Sequence, residues 1–217
     1  MKQFKRHPMR LAIAAAFVAA TPLMAHAGDG PYVGIEGGAN FESPQNLRLD
    51  GSTADTLHFN TGWAAGLVGG YSFANGLRPE LELDHRDNYI RHDAAGVSVD
   101  GHEYADTAMA NLWYDFFRHG RVHPYIGGGV GEARVAVRHG RYNATSLNND
   151  YDLAFAYQGG AGVGFDVTPN ITLSADYRYI ESLRGNIDIG GTDVQARYRA
   201  NTAMLGVKFS FGEEPAP

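Results

Sequence analysis

From Tyr32 onward the chain repeats with a period of two residues, the signature of half-buried strands rather than of amphipathic helices. Across 57–73 the odd positions are Leu57, Phe59, Thr61, Trp63, Ala65, Leu67, Gly69, Tyr71 and Phe73. The even positions are His58, Asn60, Gly62, Ala64, Gly66, Val68, Gly70 and Ser72, so one face is apolar and aromatic and the other small or polar. Leu77, Pro79, Leu81 and Leu83 alternate in the same way with Arg78, Glu80, Glu82, Asp84 and Arg86. Ile171, Leu173, Ala175, Tyr177 and Tyr179 alternate with Thr172, Ser174, Asp176 and Arg178, and Ala203, Leu205, Val207, Phe209 and Phe211 with Thr202, Met204, Gly206, Lys208 and Ser210. Further strands are predicted over 32–41, 104–117, 122–137 and 152–167, which brings the count to eight. The fifth of these, containing Pro124-Tyr125-Ile126-Gly127-Gly128-Gly129-Val130, fits either facing and leaves Glu132 pointing at lipid or sitting near the rim.

A soluble sandwich alternates too, with its polar face toward water. Here a small or charged face recurs on strand after strand, and no helical stripe follows that could cover the greasy face. Lipid can cover it, and a closed barrel satisfies every backbone N–H and C=O inside a bilayer. The predicted fold class is therefore all-β: an eight-stranded antiparallel up-and-down transmembrane β-barrel over 28–211.

The connections support that reading. Ala74-Asn75-Gly76, 118–121 and Thr168-Pro169-Asn170 are tight turns with Gly, Asn or Pro at the bend, while 42–56, 87–103, 138–150 and 180–196 are long loops. Short periplasmic turns and long external loops are the expected asymmetry of such barrels, and they place both chain ends in the periplasm. Aromatics fall at both ends of the strands: Tyr32, Tyr71, Phe73, Tyr114, Phe116, Tyr125, Phe165, Phe209 and Phe211 near the short turns, and Phe41, Phe59, Trp63, Tyr89, Tyr104, Phe155, Tyr157, Tyr177, Tyr179 and Tyr198 toward the long loops. Two such girdles are expected at the two membrane interfaces.

Residues 1–27 read as an export signal. Lys2, Lys5, Arg6 and Arg10 precede an apolar stretch over 11–20, and Ala25-His26-Ala27 has the small-x-small form of a cleavage site. Elsewhere no apolar run is long enough for a spanning helix. The chain has no Cys, so thiolate metal sites, disulfides and Cys nucleophiles are excluded. Its formal net charge of −6 argues against nucleic acid as a partner. Gly makes up 28 of 217 residues, scattered through the aromatic-rich strands as in tightly curved sheets.

These features together resemble the OmpA-like or opacity-type family of small outer-membrane β-barrels. The resemblance rests on the signal segment, the eight alternating strands, the run Tyr125-Ile126-Gly127-Gly128-Gly129-Val130-Gly131 and a last strand ending on Phe211. It implies a location in the bacterial outer membrane and a barrel-assembly signal at Phe211. It also implies partners in outer-membrane lipid, lipopolysaccharide, the barrel-assembly machinery and periplasmic chaperones, and a monomeric barrel. Larger members carry a peptidoglycan-binding domain after a Pro/Ala linker. The tail 212–217, Gly212-Glu213-Glu214-Pro215-Ala216-Pro217, looks like the start of such a linker.

The chemistry on offer is the inward face: Glu36, Arg78, Glu80, Glu82, Asp84, Arg86, Asp115, Asp152, Asp166, Asp176, Arg178 and Lys208. The lumen of an eight-stranded barrel is just wide enough to be filled by side chains. Charges there must pair or keep water, which makes a static salt-bridge plug. Acids outnumber bases in the set eight to four, which leaves open a narrow cation-preferring pathway. Glu80 and Glu82 could do general acid–base work, but ion pairing with Arg78 and Arg86 accounts for them more simply. His58, His85, His92, His102 and His139 lie toward the loop end in no spacing that forms a triad, although loop histidines beside Asp93 and Glu103 could capture a metal. No cofactor is called for. Two classes remain: a non-enzymatic surface barrel presenting long loops, or a small ion or solute pore. A lipid-modifying enzyme ranks below both.

Overall fold

The computed structural model describes residues 29–211, apart from 50–51, 95–96, 119, 143–144, 147–150, 184, 190–191 and 197, and for 45–59, 90–101, 137–152 and 185–196 it describes backbone only. The signal segment 1–27, the tail 212–217 and the side chains of Asp152, His58, His92 and His139 lie outside the described residues.

Among the described residues thirteen strands run in chain order: β1 (Gly30–Glu42), β2 (Gln45–Leu49), β3 (Ser52–Phe59), β4 (Gly62–Ser72), β5 (Leu77–Ala94), β6 (Val97–Asp115), β7 (Val122–Tyr142), β8 (Thr145–Ser146), β9 (Tyr151–Thr168), β10 (Ile171–Ser182), β11 (Gly185–Ile189), β12 (Thr192–Ala196) and β13 (Arg199–Ser210). Eight of them close a ring in the order β1, β4, β5, β6, β7, β9, β10, β13, each antiparallel to its neighbours. The ring shuts where the first and last strands pair, Tyr32 opposite Ser210 through Glu42 opposite Ala200. No strand of this ring leaves an edge, so the backbone is satisfied without help from solvent.

The predicted strand cores are all present, but the long loops are not loops along most of their length. β5 and β6 continue as one ladder to the pair Ala94–Val97, through the whole of 87–103. β2 pairs with β3 inside 42–56, and β11 with β12 inside 180–196. The stretch 57–73 is two strands, interrupted at Asn60 and Thr61, where the Asn60 N–H donates to the Tyr89 carbonyl. These segments read as loops because their residues carry no sustained alternation of apolar and polar positions.

The three short turns fall where expected. Gly76 closes the first with φ of +89°, and a Cβ there would stand 2.7 Å from the Asp115 carbonyl. An L side chain would be strained by the conformation and crowded by the neighbour.

Facing follows the alternation. Val33, Ile35, Leu67, Leu81, Leu83, Leu173, Leu205 and Val207 point outward. β7, whose facing was open, turns Val122, Ile126, Val130, Glu132 and Arg134 outward and Tyr125 and Ala133 inward. The girdles need one correction: Tyr32, Tyr125 and Tyr198 are buried in the interior. Each sits on the inward phase of its strand, and each hydroxyl finds a polar partner there. Position near a strand end says nothing about facing, which the parity of the residue decides. Toward the hairpin end Ala105, Met109, Ala133, Ala156, Ile180, Tyr198 and Ala200 pack together as an apolar cluster, and Glu42, Glu103 and Glu181 are buried at the same end.

Candidate functional site

The interior is the only place where this fold concentrates chemistry among the described residues. β5 alone contributes Arg78, Glu80, Glu82, Asp84 and Arg86, because consecutive even positions of one strand share a face. All five are buried, as are Glu36, Asp115, Asp176, Arg178 and Lys208. Asp166 is half-exposed at the short-turn end.

At that end the Thr172 hydroxyl donates to Asp166 at 2.6 Å, and His123 Nε2 lies 3.1 Å from the same carboxylate. One layer up, Arg78 Nε donates to Asp115 at 3.0 Å and Nη1 to Glu80 at 3.0 Å. The Tyr32 hydroxyl and the Trp113 indole N–H also donate to Glu80, at 2.6 and 2.9 Å. The Arg78 guanidinium and the Lys208 ammonium each lie 5.0 Å from the centre of the Tyr125 ring. Cations against an aromatic face gain from the ring quadrupole where water is excluded.

The centre belongs to Arg178. Its two terminal nitrogens grip both oxygens of Glu36 at 2.6 and 2.7 Å, and Nη1 also reaches Glu82 at 2.9 Å. Its Nε lies 2.6 Å from Asp176, whose other oxygen accepts from the Tyr125 hydroxyl at 2.7 Å. Asn111 and Gln158 donate to Glu82 Oε2 at 2.7 and 2.9 Å. Side chains of five strands, β1, β5, β6, β9 and β10, thus meet at one guanidinium and one carboxylate. Next comes Arg86, held by Asp84 at 2.7 Å and the Thr107 hydroxyl at 2.8 Å. Above it comes an amide layer: Asn40 donates to Asn88 at 2.6 Å and accepts from Thr202 at 2.8 Å.

The structure places the described charged residues of that set along the interior, with Asp166 at its short-turn end. The sequence reading passed over the neutral partners Tyr32, Asn40, Asn88, Thr107, Asn111, Trp113, Tyr125 and Gln158. Their inward parity was legible, but a polar or aromatic residue on a strand carries no sign of a partner several strands away. Phe211 lies one residue beyond β13, yet its N–H donates to the Pro31 carbonyl at 2.9 Å and its ring packs edge-on against Phe209.

The outer wall is not uniformly apolar. His85 Nδ1 lies 2.6 Å from Asp106, with Arg134 in register beside Asp106, and His102 Nδ1 lies 2.9 Å from Asp87. The His85 and His102 rings lie 5.7 and 6.0 Å from that of Tyr104. These groups stand toward the hairpin end, past most of the ~9–11 residues a spanning strand uses.

Residues 11–211 match the outer membrane protein β-barrel domain family. The chain belongs to that family. An outer membrane protein of Gluconacetobacter diazotrophicus is 29% identical over 194 residues, covering 77% of this chain and 51% of its own length. The outer membrane protein PagN of Salmonella typhimurium is 30% identical over 138 residues, 55% of each chain. The chain thus spans about half the length of these two curated relatives. Among solved structures, Neisserial surface protein A superimposes with a TM-score of 0.53 at 22% identity, over 84% of this chain and 97% of that one. The protein is an outer-membrane β-barrel.

Proposed function

We propose that this barrel is a closed, non-enzymatic scaffold that holds extended β-hairpins at the cell surface for contact with the surroundings. The length of its strands carries the reading. β5, β6 and β7 have 18, 19 and 21 residues, about twice the ~9–11 that cross a bilayer, so half of each is spent on rigid structure outside the membrane. Support also comes from the interior, where charges, amides and an apolar layer are stacked from one end to the other. Arg78, Arg86 and Arg178 are each held by buried carboxylates, and the outer-wall histidines pair with Asp106 and Asp87 rather than with a nucleophile. In this reading the outer wall is bathed by outer-membrane lipid and lipopolysaccharide, chaperones and the barrel-assembly machinery handle the chain before closure, and the ligand of the hairpins is undefined.

The competing reading is an ion or solute pore, and planar-bilayer recording separates the two. Refolded protein is expected to add no steady current above the lipid baseline. Reproducible conductance steps proportional to salt concentration would replace the scaffold with a pore.

A further inference from the structure

The middle of the interior carries more negative charge than it neutralises. Glu36, Glu82, Asp84 and Asp176 share that region with Arg86 and Arg178, four carboxylates against two guanidiniums. Every other group bound to these carboxylates is neutral: Tyr125 on Asp176, Asn111 and Gln158 on Glu82. Adding the layer below leaves the excess unchanged: Glu80 and Asp115 come with Arg78 and Lys208, whose ammonium faces Asp176 as well as Glu80 and Asp115. Uncompensated charges buried from solvent are costly, and a folded chain offsets them with a counter-charge, water or a proton.

Unpartnered oxygens mark where the excess sits. Glu82 Oε1 and Asp84 Oδ1 accept no hydrogen bond, although Glu82 is 0% and Asp84 4% exposed. Arg86 reaches Glu82 Oε1 only at 3.9 Å. Gln158, bound to Glu82 through its Nε2, leaves its own Oε1 unpartnered as well. One oxygen each from Glu36, Glu82 and Asp84 lie within 4.8 Å of one another. Oxygens that share a calcium ion at ~2.3–2.6 Å can be no more than about 5 Å apart, so this spacing suits a common hard cation. A proton shared between Glu82 and Asp84 would satisfy the two free oxygens but cancel only one of the two charges.

We infer that Glu36, Glu82 and Asp84 form a binding site for one hard divalent cation of the calcium class inside the barrel. The cation supplies the missing charge, and the free oxygens of Glu82 and Asp84 supply its ligands. Because Glu36, Glu82 and Asp84 are all buried, the ion is captured as the barrel closes and exchanges slowly afterwards. The inference is separate from the scaffold reading, since a sealed barrel and a conducting one could both hold such an ion.

The test is refolding of the full chain into phosphocholine vesicles, which carry no net headgroup charge, with either calcium or a chelator at matched ionic strength and pH 7.5. After gel filtration in chelator, elemental analysis is expected to find one calcium per barrel, and the urea midpoint is expected to be higher for the calcium-loaded form. At calcium a hundredfold above its dissociation constant the folded-to-unfolded ratio should rise about a hundredfold. The double variant Glu82→Gln/Asp84→Asn should retain no calcium and show no calcium-dependent midpoint, whereas Glu132→Gln on the outer wall should behave as wild type. Calcium that is lost in the chelator, or retained equally by the double variant, overturns the inference. So does an unchanged midpoint that rises only on acidification, which would assign the excess to a shared proton. Should the double variant not fold, terbium replaces calcium in the wild type. Emission excited through tryptophan with a long, poorly hydrated lifetime supports the buried site, and a fully hydrated lifetime refutes it.

Discussion

At the scale of the residue, Arg178 shows how much one side chain can hold. It binds Glu36 through both terminal nitrogens, touches Glu82 and Asp176, and lies 5.5 Å from the Trp113 ring. Arg178→Ala removes the cation and leaves three buried carboxylates facing one another. Breaking one side of a buried ion pair costs about 3–5 kcal/mol, and that loss is expected in urea unfolding of vesicle-embedded protein. Adding Glu36→Gln should recover part of it, because the two residues are coupled rather than additive. Strictly additive losses in this cycle would show that water, not pairing, stabilises the column.

At the scale of the element, each strand is a boundary between two media. Leu205 on β13 is 69% exposed on the outer face, five residues before the strand ends at Ser210. Leu205→Arg should cost roughly 2–4 kcal/mol near the bilayer midplane. Gly69 on β4 also faces outward but lies three residues before Ser72, and a Cβ there meets only the Tyr32 carbonyl at 3.9 Å. Gly69→Arg should therefore cost less, and equal losses at both sites would place the bilayer differently along the strands. On the inward face the constraint is volume. A Cβ at Gly127 would stand 2.7 Å from the Trp113 ring, which is 1% exposed, so Gly127→Val should displace the indole and its bond to Glu80. Loss of the buried-tryptophan fluorescence signature, with the barrel still refolding, is the expected readout.

At the scale of the whole molecule, stability comes from closure. The pairing of β1 with β13 over eleven registered positions leaves no edge at which detergent can begin to open the ring. Unboiled protein should migrate differently from boiled protein on a detergent gel. A substitution that weakens only this seam should abolish the difference at lower temperature than one in a hairpin. Gly38→Val is suited to the comparison, because a Cβ there would stand 1.9 Å from the Ala203 carbonyl across the seam. Identical migration of boiled and unboiled wild type would mean that closure confers no detergent resistance.

Alternation along the sequence by itself determined the eight strands, the short turns between them and the inward placement of Glu36, Arg78, Glu80, Glu82, Asp84, Arg86, Asp115, Asp176, Arg178 and Lys208. A strand has only two faces, and when one meets lipid the parity of each residue assigns it. Parity was ambiguous only on β7, where glycine occupies both phases and the outward Glu132 contradicts the rule. Tertiary structure alone decided which inward residues meet. That depends on the stagger between strands, and stagger brings Arg178 on β10 to Glu36, 142 positions away in the chain. It also decided that the hairpins continue as paired strands through segments whose sequence carries no one-sided apolar pattern. The two free oxygens on Glu82 and Asp84 follow from the same cause: composition counts charges, but only closure of the ring decides which of them are left without a partner.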